Sequence, residues 1–311
     1  GRSDGKTFVL LHLFDVHKPY CYTPGGSERH QYNGDLYERM ASILPDGFHL
    51  NTLREEAATE AADTVPNYDE LTASLREYAT NWSLDYLLRK ELESEYGDDR
   101  YPYLVQLYQE GVSVFDQGRF ADILDELEST LLSDHLLLVT SDHGEARCQW
   151  QDREDFMNSF NVSEQAVRVP LFLESDLAPL PDEYEGHVSH VDIFPTIADV
   201  LDADAGASVA GTSLFTLFDG PREQRSVFQE SWFYTGGPDF FGNISETGDG
   251  GLSEVAVTRD GYKLVRSFED TGSPEFGLYH VDADRFERQE ISEAEPEINE
   301  SLKAELEEYL E

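Results

Sequence analysis

The sequence predicts an α/β fold with a mainly parallel central sheet, followed by a small antiparallel sheet and a helix. Two short apolar runs, Thr7–Phe14 and His135–Thr140, have the continuous hydrophobicity of strands buried on both faces of a parallel sheet. The long stretch between them contains helical spacing, as in a βαβ unit. Beyond Gly220 the pattern changes to short segments separated by Gly- and Asp-rich turns, which indicate antiparallel strands. We therefore predict two domains, 1–220 and 221–311.

The chain between the first two strands is predicted to be mainly helical. Pro19 ends the first strand, and residues 21–66 have the irregular, turn-rich composition of a loop region. Helical spacing then predicts one helix from about Tyr68 to Glu95 and a second from near Tyr101 to Leu132. The residues whose helical spacing indicates the first helix are Leu71, Leu75, Tyr78, Trp82, Tyr86 and Leu87. The side chains expected on the inner face of the second helix are Leu107, Val114, Phe120, Ile123, Leu124 and Leu127.

The central sheet is expected to continue after an insertion at 146–166. Arg168–Leu173 is predicted to be a third core strand, and a short helix follows that ends near Leu201. Asp192 is expected to cap this helix, because an aspartate oxygen can accept a hydrogen bond from a free N–H of the first turn. Pro195 lies in that turn, where a missing N–H costs little.

The C-terminal region is predicted to form a small antiparallel sheet closed by a helix. Asp260 and Gly261 make a two-residue turn of the kind that joins the strands of a hairpin. The helix is expected from Glu297 to Leu310, where apolar residues recur at helical spacing. The predicted strands are Ser226–Glu230, Glu254–Arg259, Tyr262–Ser267 and Phe276–Val281.

The composition is strongly acidic around an ordinary core. The 311 residues include 64 acidic and 22 basic side chains, which give a formal net charge of −42. Such a surface repels a phosphate backbone, so we expect no nucleic-acid partner. With 39% hydrophobic and 12% aromatic residues, the chain contains enough core-forming side chains to fold, which argues against disorder.

The excess of carboxylates over a few lysines is typical of a protein adapted to concentrated salt, in which surface charges are screened within about 3 Å. A calcium-buffering acidic protein is the alternative, but the acidic residues are dispersed and the sequence contains no D-x-D-x-D-G loop. No apolar run approaches the roughly 20 residues that span a bilayer, and no signal peptide is visible. We therefore expect no membrane span, and a cytoplasmic location in a high-salt environment is favoured.

The main chemical signal is Asp142 beside His143, directly after the predicted strand His135–Thr140. A carboxylate and an imidazole provide two ligands for one divalent cation, and the oxygen donor favours a hard or borderline metal. Polar residues just past the carboxyl ends of parallel strands also line the ligand crevice of such sheets. The alternative is that Asp142 caps a following helix and that His143 is merely polar.

Two other histidines are candidates for a site. His17 lies on the loop after the first predicted strand, where it could donate a proton to a leaving group or hydrogen-bond an anionic substrate. An ordinary surface-loop histidine is the alternative. His190 follows His187 by three residues, a spacing that permits metal ligation, although a core or supporting role is the simpler interpretation.

Five segments, in order along residues 8–290, resemble the sulfatase family of the alkaline phosphatase superfamily. The first is F-V-L-L-H-L-F-D-V-H-K-P-Y (8–20), similar to the family's strand and D-x-H-x-P-Y loop. The second and third are L-L-L-V-T-S-D-H-G-E (136–145) and V-R-V-P-L-F-L (167–173), which resemble its metal-binding S-D-H-G-E and its R-V-P-L strand. The fourth is V-S-H-V-D-I-F-P-T-I-A-D-V-L (188–201) with G-T-S-L (211–214), similar to its D-x-x-P-T helix and G-x-S-L turn. The fifth comprises T-R-D-G-Y-K-L-V (258–265) and G-L-Y-H-V-D-A-D-R-F-E (277–287), which resemble its C-terminal strand pair.

This resemblance implies an alkaline phosphatase-like three-layer sandwich and a metal-dependent hydrolase of small sulfate esters. Asp142 and His143 would bind one divalent metal ion, Ca²⁺ in first place, with Mn²⁺ or Mg²⁺ as alternatives. His17 would be catalytic, either binding the sulfate or protonating the leaving alcohol, and His190 would be a weaker contact on the substrate side. In the family the nucleophile is a formylglycine, which attacks sulfur while cationic groups stabilise the developing charge.

The sequence departs from the family pattern in two places. It contains neither C-x-P-S-R nor S-x-P-S-R, whose Cys or Ser becomes formylglycine, nor the paired aspartates of the family's first βα unit. The family's Lys or His after S-D-H-G-E is replaced by a stretch with Arg147 and Arg153, which could bind an oxyanion or could lie on the surface. We therefore expect these residues to represent the C-terminal two-thirds of a sulfatase, with an incomplete site and no turnover by themselves.

Two alternatives to a sulfatase stay open. An Asp–His pair is equally compatible with phosphoryl chemistry in a phosphodiesterase, a phosphonate hydrolase or a phosphoethanolamine-type transferase of the same superfamily. A sulfatase-like protein without catalysis would account for the absent nucleophile. The substrate alcohol could be sugar, aryl or choline-like, although the net charge disfavours polyanionic glycans at low salt.

The charge of −42 leads to a prediction about stability. Self-repulsion opposes folding at low ionic strength, so the midpoint of thermal unfolding should rise strongly between low and molar KCl. Circular dichroism or calorimetry across that range measures the effect. An unchanged midpoint would remove the interpretation that the protein is adapted to salt.

Overall fold

The computed structural model describes residues 7–13, 16, 41–45, 48–130, 134–145, 161–206, 208–220, 225–233, 251–268 and 275–311. These residues fall into two compact units, one up to residue 130 and the other from residue 134 onward. In the described part of the chain, no helix combines the length and the hydrophobicity that crossing a membrane requires. The boundary near residue 220 stays a prediction.

The first unit is helical. Its helices are α1 (Leu50–Thr64), α2 (Ala73–Tyr96), α3 (Tyr101–Phe115) and α4 (Ala121–Thr130), with 3₁₀ turns at Tyr68–Glu70 and Gly97–Arg100 and a π-helical turn at Asp116–Phe120. Thr72 caps α2, because its hydroxyl accepts a hydrogen bond from the N–H of Leu75 at 3.3 Å. The two predicted helices are therefore present, and the second is interrupted by the π-helical turn.

The structure differs from the prediction for residues 21–66, part of which forms helix α1 rather than loop. Its buried face consists of Leu50, Leu53, Ala57 and Ala61, of which two are alanines. Alanine contributes little to a hydrophobic pattern but has the highest helix propensity, so this helix is weakly marked in the sequence. Ala61 packs with Ala79 of α2, where two small side chains allow a close approach.

The buried face of α2 does not coincide with the apolar residues whose spacing indicates the helix. Leu75 and Tyr86 belong to that spacing but are exposed. Packing against α1 selects a face of small and aliphatic residues instead. That buried face contains Ala79, Leu84, Leu88 and Leu92.

Residues 7–13 do not form the predicted strand. They have no regular secondary structure, and no described strand pairs with them. The side chains from Phe8 to Leu11 are between 54 and 77% exposed. Continuous apolarity predicts a buried strand only where other elements cover both faces, so the pattern alone does not determine burial.

The second unit begins with a two-stranded sheet of β1 (Leu136–Thr140) and β2 (Leu171–Ser175). The pair is antiparallel, which differs from the parallel pairing expected for the central sheet. The carboxylate of Asp176 accepts hydrogen bonds from the backbone N–H groups of His135 (2.8 Å) and Asp134 (2.9 Å), which lower its pKa. The register pairs Leu136 with Ser175, Leu138 with Leu173 and Thr140 with Leu171.

Strand β2 begins three residues later than the predicted strand Arg168–Leu173. Pro170 has no N–H to donate to a ladder, so regular pairing starts at Leu171. Helix α5 (Glu164–Val167) lies between the two strands in sequence. After β2 come a 3₁₀ turn (His190–Asp192), α6 (Ile193–Leu201) and α7 (Leu214–Asp219). The helix predicted to end near Leu201 is confirmed.

The C-terminal sheet is confirmed as antiparallel, with its four strands in sequence order. Asp260 and Gly261 both have positive φ, 53° and 78°, as a two-residue turn of type I′ requires. The elements are β3 (Val227–Phe233), β4 (Gly251–Arg259), β5 (Tyr262–Ser267), β6 (Phe276–His280) and helix α8 (Pro296–Leu310). The core between sheet and helix contains Val255, Val257, Leu264, Leu278, Leu302 and Leu306.

The β4–β5 turn allows a test by substitution. Gly261→Ala should lower the free energy of unfolding by about 1–2 kcal/mol, because a Cβ is strained at positive φ. A further loss is expected because that Cβ would lie 2.5 Å from a carboxylate oxygen of Asp282. Gly206→Ala is the matched control, since Gly206 also has positive φ (84°) but no atom within 4 Å of the added Cβ. Urea unfolding in molar KCl should show the larger loss for Gly261→Ala, and equal losses would contradict a role for Asp282.

Candidate functional site

The loop that follows β1 places Asp142 and His143 side by side. The hydroxyl of Ser141 donates to the backbone carbonyl of His143 at 2.6 Å, and the N–H of His143 donates to Oδ1 of Asp142 at 3.0 Å. These two bonds fold the loop tightly, so that Nε2 of His143 lies 3.8 Å from Oδ2 of Asp142. The two side chains are 38 and 69% exposed, and both are therefore open to a ligand.

The imidazole of His143 has a defined tautomer. Its Nδ1 lies 2.7 Å from the carbonyl oxygen of Gly144, which can only accept a hydrogen bond. Nδ1 must therefore carry the proton, and in the neutral ring Nε2 presents a lone pair on the side of Asp142. A histidine held in this way by a backbone carbonyl is the usual form of a metal-binding imidazole.

Gly144 brings this loop into close contact with helix α5. Its N–H donates to the carbonyl of Ala166 at 2.7 Å. A Cβ at this position would lie 2.0 Å from the carbonyl oxygen of Gln165, so any side chain would force the two segments apart. Residues 141–145 are not helical, so the alternative in which Asp142 caps a following helix finds no support in the described part of this loop.

His190 lies at the same end of β1. Its Nε2 is 3.3 Å from the hydroxyl oxygen of Thr140. That hydroxyl donates to the carbonyl of Pro170 at 2.9 Å, so its oxygen is left to accept from His190. The structure therefore brings His190 to the last residue of β1, two positions before Asp142.

Asp192 occupies the predicted N-cap position of α6, but its side chain makes no capping hydrogen bond to the helix. Its carboxylate is fully buried and instead binds Arg225 through two hydrogen bonds of 2.6 and 2.7 Å. The same carboxylate accepts from the N–H groups of Ser189 and Thr212, each at 2.8 Å. A buried carboxylate needs this full set of donors, and a guanidinium supplies two of them in one plane. The pair fixes the segment that carries His190.

Among the described residues of this loop, Asp142 and His143 are the candidate ligands for a metal ion. The described residues contain no group of three or more His, Cys, Asp and Glu side chains that could hold one. Asp142 and His143 fit such a site as one oxygen and one nitrogen donor, whereas Ca²⁺ takes six to eight ligands. His17, Arg147 and Arg153 lie outside the described residues, so the structure gives no position for them.

The family model for Sulfatase matches residues 1–203 of the 311, which include Asp142, His143 and His190. The chain belongs to the sulfatase family. The resemblance drawn from the motifs is thus confirmed. A search of curated proteins finds no match.

Solved structures with the alkaline phosphatase-like fold of sulfatases are similar to this chain. A phosphonate monoester hydrolase from Silicibacter pomeroyi is 20% identical over 68% of this chain and 41% of its own, with a TM-score of 0.51. A second, from Agrobacterium radiobacter, is 19% identical over 70% of this chain and 42% of its own, with a TM-score of 0.50.

A third is a protein in complex with its substrate D-glucosamine-2-N,6-O-disulfate, 15% identical over 95% of this chain and 60% of its own, with a TM-score of 0.53. These likenesses confirm the predicted α/β fold class. The chain spans between 41 and 60% of the length of these structures.

The Asp192–Arg225 pair leads to a prediction about stability. Arg225→Met would leave the carboxylate of Asp192 buried without its cation, and should lower the free energy of unfolding by about 3–5 kcal/mol. Arg285→Met removes an exposed arginine of the same unit and should change it by less than about 0.5 kcal/mol. Denaturant unfolding of both variants in molar KCl measures the difference. Equal stabilities of the two variants would show that the pair does not hold this segment.

Proposed function

We propose that the protein is a metal-dependent hydrolase of small sulfate esters, in which Asp142 and His143 bind one divalent ion. Membership of the sulfatase family supports the reaction class. The observation that carries the proposal is the hydrogen bond from Nδ1 of His143 to Gly144, since it leaves Nε2 on the side of Asp142. Ca²⁺ is the first choice of ion because the family's remaining ligands are carboxylates, with Mn²⁺ or Mg²⁺ as alternatives.

In this proposal, separate side chains would donate the proton, bind the sulfate oxygens and support the metal-binding loop. The bound ion would polarise a sulfate oxygen and stabilise the charge that develops on it. His17, in the D-x-H-x-P-Y motif, would donate a proton to the leaving alcohol. Arg147 or Arg153 would bind the other sulfate oxygens, since a guanidinium matches a bidentate oxyanion. His190, through Thr140, supports the end of β1 from which Asp142 extends.

The substrate we propose is a small ester rather than a long sulfated glycan. A chain with a charge of −42 repels a polyanion at low salt, whereas a single sulfate ester carries little charge. The likeness to a protein solved with a disulfated glucosamine is consistent with a small sulfated sugar. The same composition supports a working environment of concentrated salt.

Hydrolysis of phosphonate monoesters is the second candidate function. It is favoured by the two phosphonate monoester hydrolases among the similar structures. The Asp142–His143 pair does not discriminate, because tetrahedral sulfate and phosphonate groups present similar oxygens to a metal ion. The substrate preference must therefore be measured.

The test compares 4-nitrophenyl sulfate with 4-nitrophenyl phenylphosphonate, using the product of the complete reading frame in molar KCl with Ca²⁺. Asp142→Asn should lower kcat/KM for the sulfate by at least about 100-fold, because it removes a negatively charged ligand. The asparagine oxygen can still accept from the N–H of His143, so the loop should keep its shape. Asp199→Asn, which changes an exposed carboxylate on α6, is the matched control and should be neutral.

Each of the other outcomes would support a different function or refute the proposal. Turnover of the phosphonate alone would favour the second candidate. Binding of Ca²⁺ that is lost in Asp142→Asn, without hydrolysis of either ester, would indicate a sulfatase-like protein that does not catalyse. Sulfate hydrolysis that survives both Asp142→Asn and removal of the metal with a chelator would refute the proposal.

A further inference from the structure

Lys263 on β5 is fully buried. A lysine is almost never fully buried unless its charge is paired. Its ammonium group contacts three oxygens: the carbonyl of Val162, Oε1 of Glu164 at 3.1 Å and Oε1 of Glu287 at 3.0 Å. The contacts with Val162 and Glu164 are hydrogen bonds, and the contact with Glu287 is an ion pair. Burial raises the pKa of Glu287, and the opposing charge of Lys263 limits that rise.

The cluster holds the short segment that leads into helix α5. The N–H of Val162 donates to Oε2 of Glu254 on β4 at 3.1 Å, and the N–H of Glu164 donates to Oε2 of Glu287 at 3.3 Å. Three side chains of the C-terminal region thus bind both backbone and side-chain atoms of residues 162–164. Helix α5 has four residues, too few for a helix to be stable by itself, so these contacts determine its position.

Helix α5 in turn contacts the loop with the proposed metal ligands. The carbonyl of Ala166 accepts from the N–H of Gly144 at 2.7 Å, and the carbonyl of Gly144 accepts from Nδ1 of His143 at 2.7 Å. The approach of Gly144 to Gln165 leaves no room for a Cβ, so the two segments are in close contact as well as hydrogen-bonded. A continuous series of contacts therefore connects Lys263 to His143.

We infer that Lys263, with Glu164 and Glu287, positions the loop of Asp142 and His143 by fixing helix α5. Lys263 is a positioning residue, because it acts on the loop only through α5. The part of the inference that concerns metal affinity rests on the proposed function. The part that concerns the loop itself rests only on the contacts of Lys263, α5 and Gly144.

The experiment separates local loosening of the loop from general loss of stability. Amide hydrogen exchange is followed by NMR at Gly144, whose N–H binds α5, and at Val257 and Leu306 in the C-terminal core. In Lys263→Met the amide of Gly144 should exchange at least about tenfold faster relative to Val257 and Leu306. A cluster that only stabilises the fold would instead accelerate all three amides together.

Lys303→Met is the matched control for the loss of one positive charge. Lys303 lies on α8, in the same unit, with Nζ 4.5 Å from the ring centroid of Phe276. It should leave the exchange of Gly144 unchanged. The affinity for Mn²⁺, measured in molar KCl from broadening of the His143 ring signals, should fall at least about tenfold in Lys263→Met and not in Lys303→Met.

Glu164→Gln provides an independent test of the inference if Lys263→Met does not fold. Glu164→Gln preserves the shape of the side chain but removes its charge, and should raise the exchange of Gly144 about threefold relative to Val257. Unchanged relative exchange in the folded variants would overturn the inference. Faster exchange at Gly144, with Mn²⁺ binding that Asp142→Asn does not affect, would uphold the positioning role and refute the proposed metal site instead.

Discussion

The position of the segments that contact the end of β1 depends on two cationic side chains of the C-terminal region. Lys263 extends from β5 to the segment before α5, and Arg225, just before β3, binds Asp192. Both cations bind carboxylates that are almost completely buried. A buried charge that loses its partner costs several kcal/mol, so each pair resists any movement that would separate it. The loops carrying His143 and His190 are fixed as a consequence.

Burial of these pairs has a particular value in a chain with so few basic residues. Only 22 of the 311 residues are Lys or Arg, against 64 acidic ones. Exposed ion pairs are weakened by salt, because the Debye length falls to about 3 Å at 1 M. Pairs that exclude water are screened much less. If the protein works in concentrated salt, as its composition predicts, buried pairs are the ones that keep their strength there.

The sequence predicts those elements whose signals are local. The Asp260–Gly261 turn, the four C-terminal strands and the helix ending at Leu201 depend on residues that are neighbours in the chain, and the structure confirms them. Asp192 occupies the predicted N-cap position, but the partner of its side chain, Arg225, lies 33 residues further on, where no local pattern indicates it. Whether residues 50–64 and 7–13 form regular structure depends on tertiary packing. The local pattern does not specify that packing, so the predictions of a loop and of a strand for these two segments are wrong.

For the candidate site, too, the sequence predicts the local features but not those that depend on distant residues. Asp142 and His143 are adjacent in sequence, and their chemistry suggests a metal ion before any fold is known. The tautomer of His143 depends on the carbonyl of Gly144, whose N–H binds Ala166 of α5. Helix α5 is held in turn by Lys263, which binds Glu164 across 99 residues of the chain. The family match ends at residue 203, so it includes the proposed ligands but neither of the two cations. The chemistry of the site is thus specified by the matched segment, whereas its geometry depends on residues beyond it.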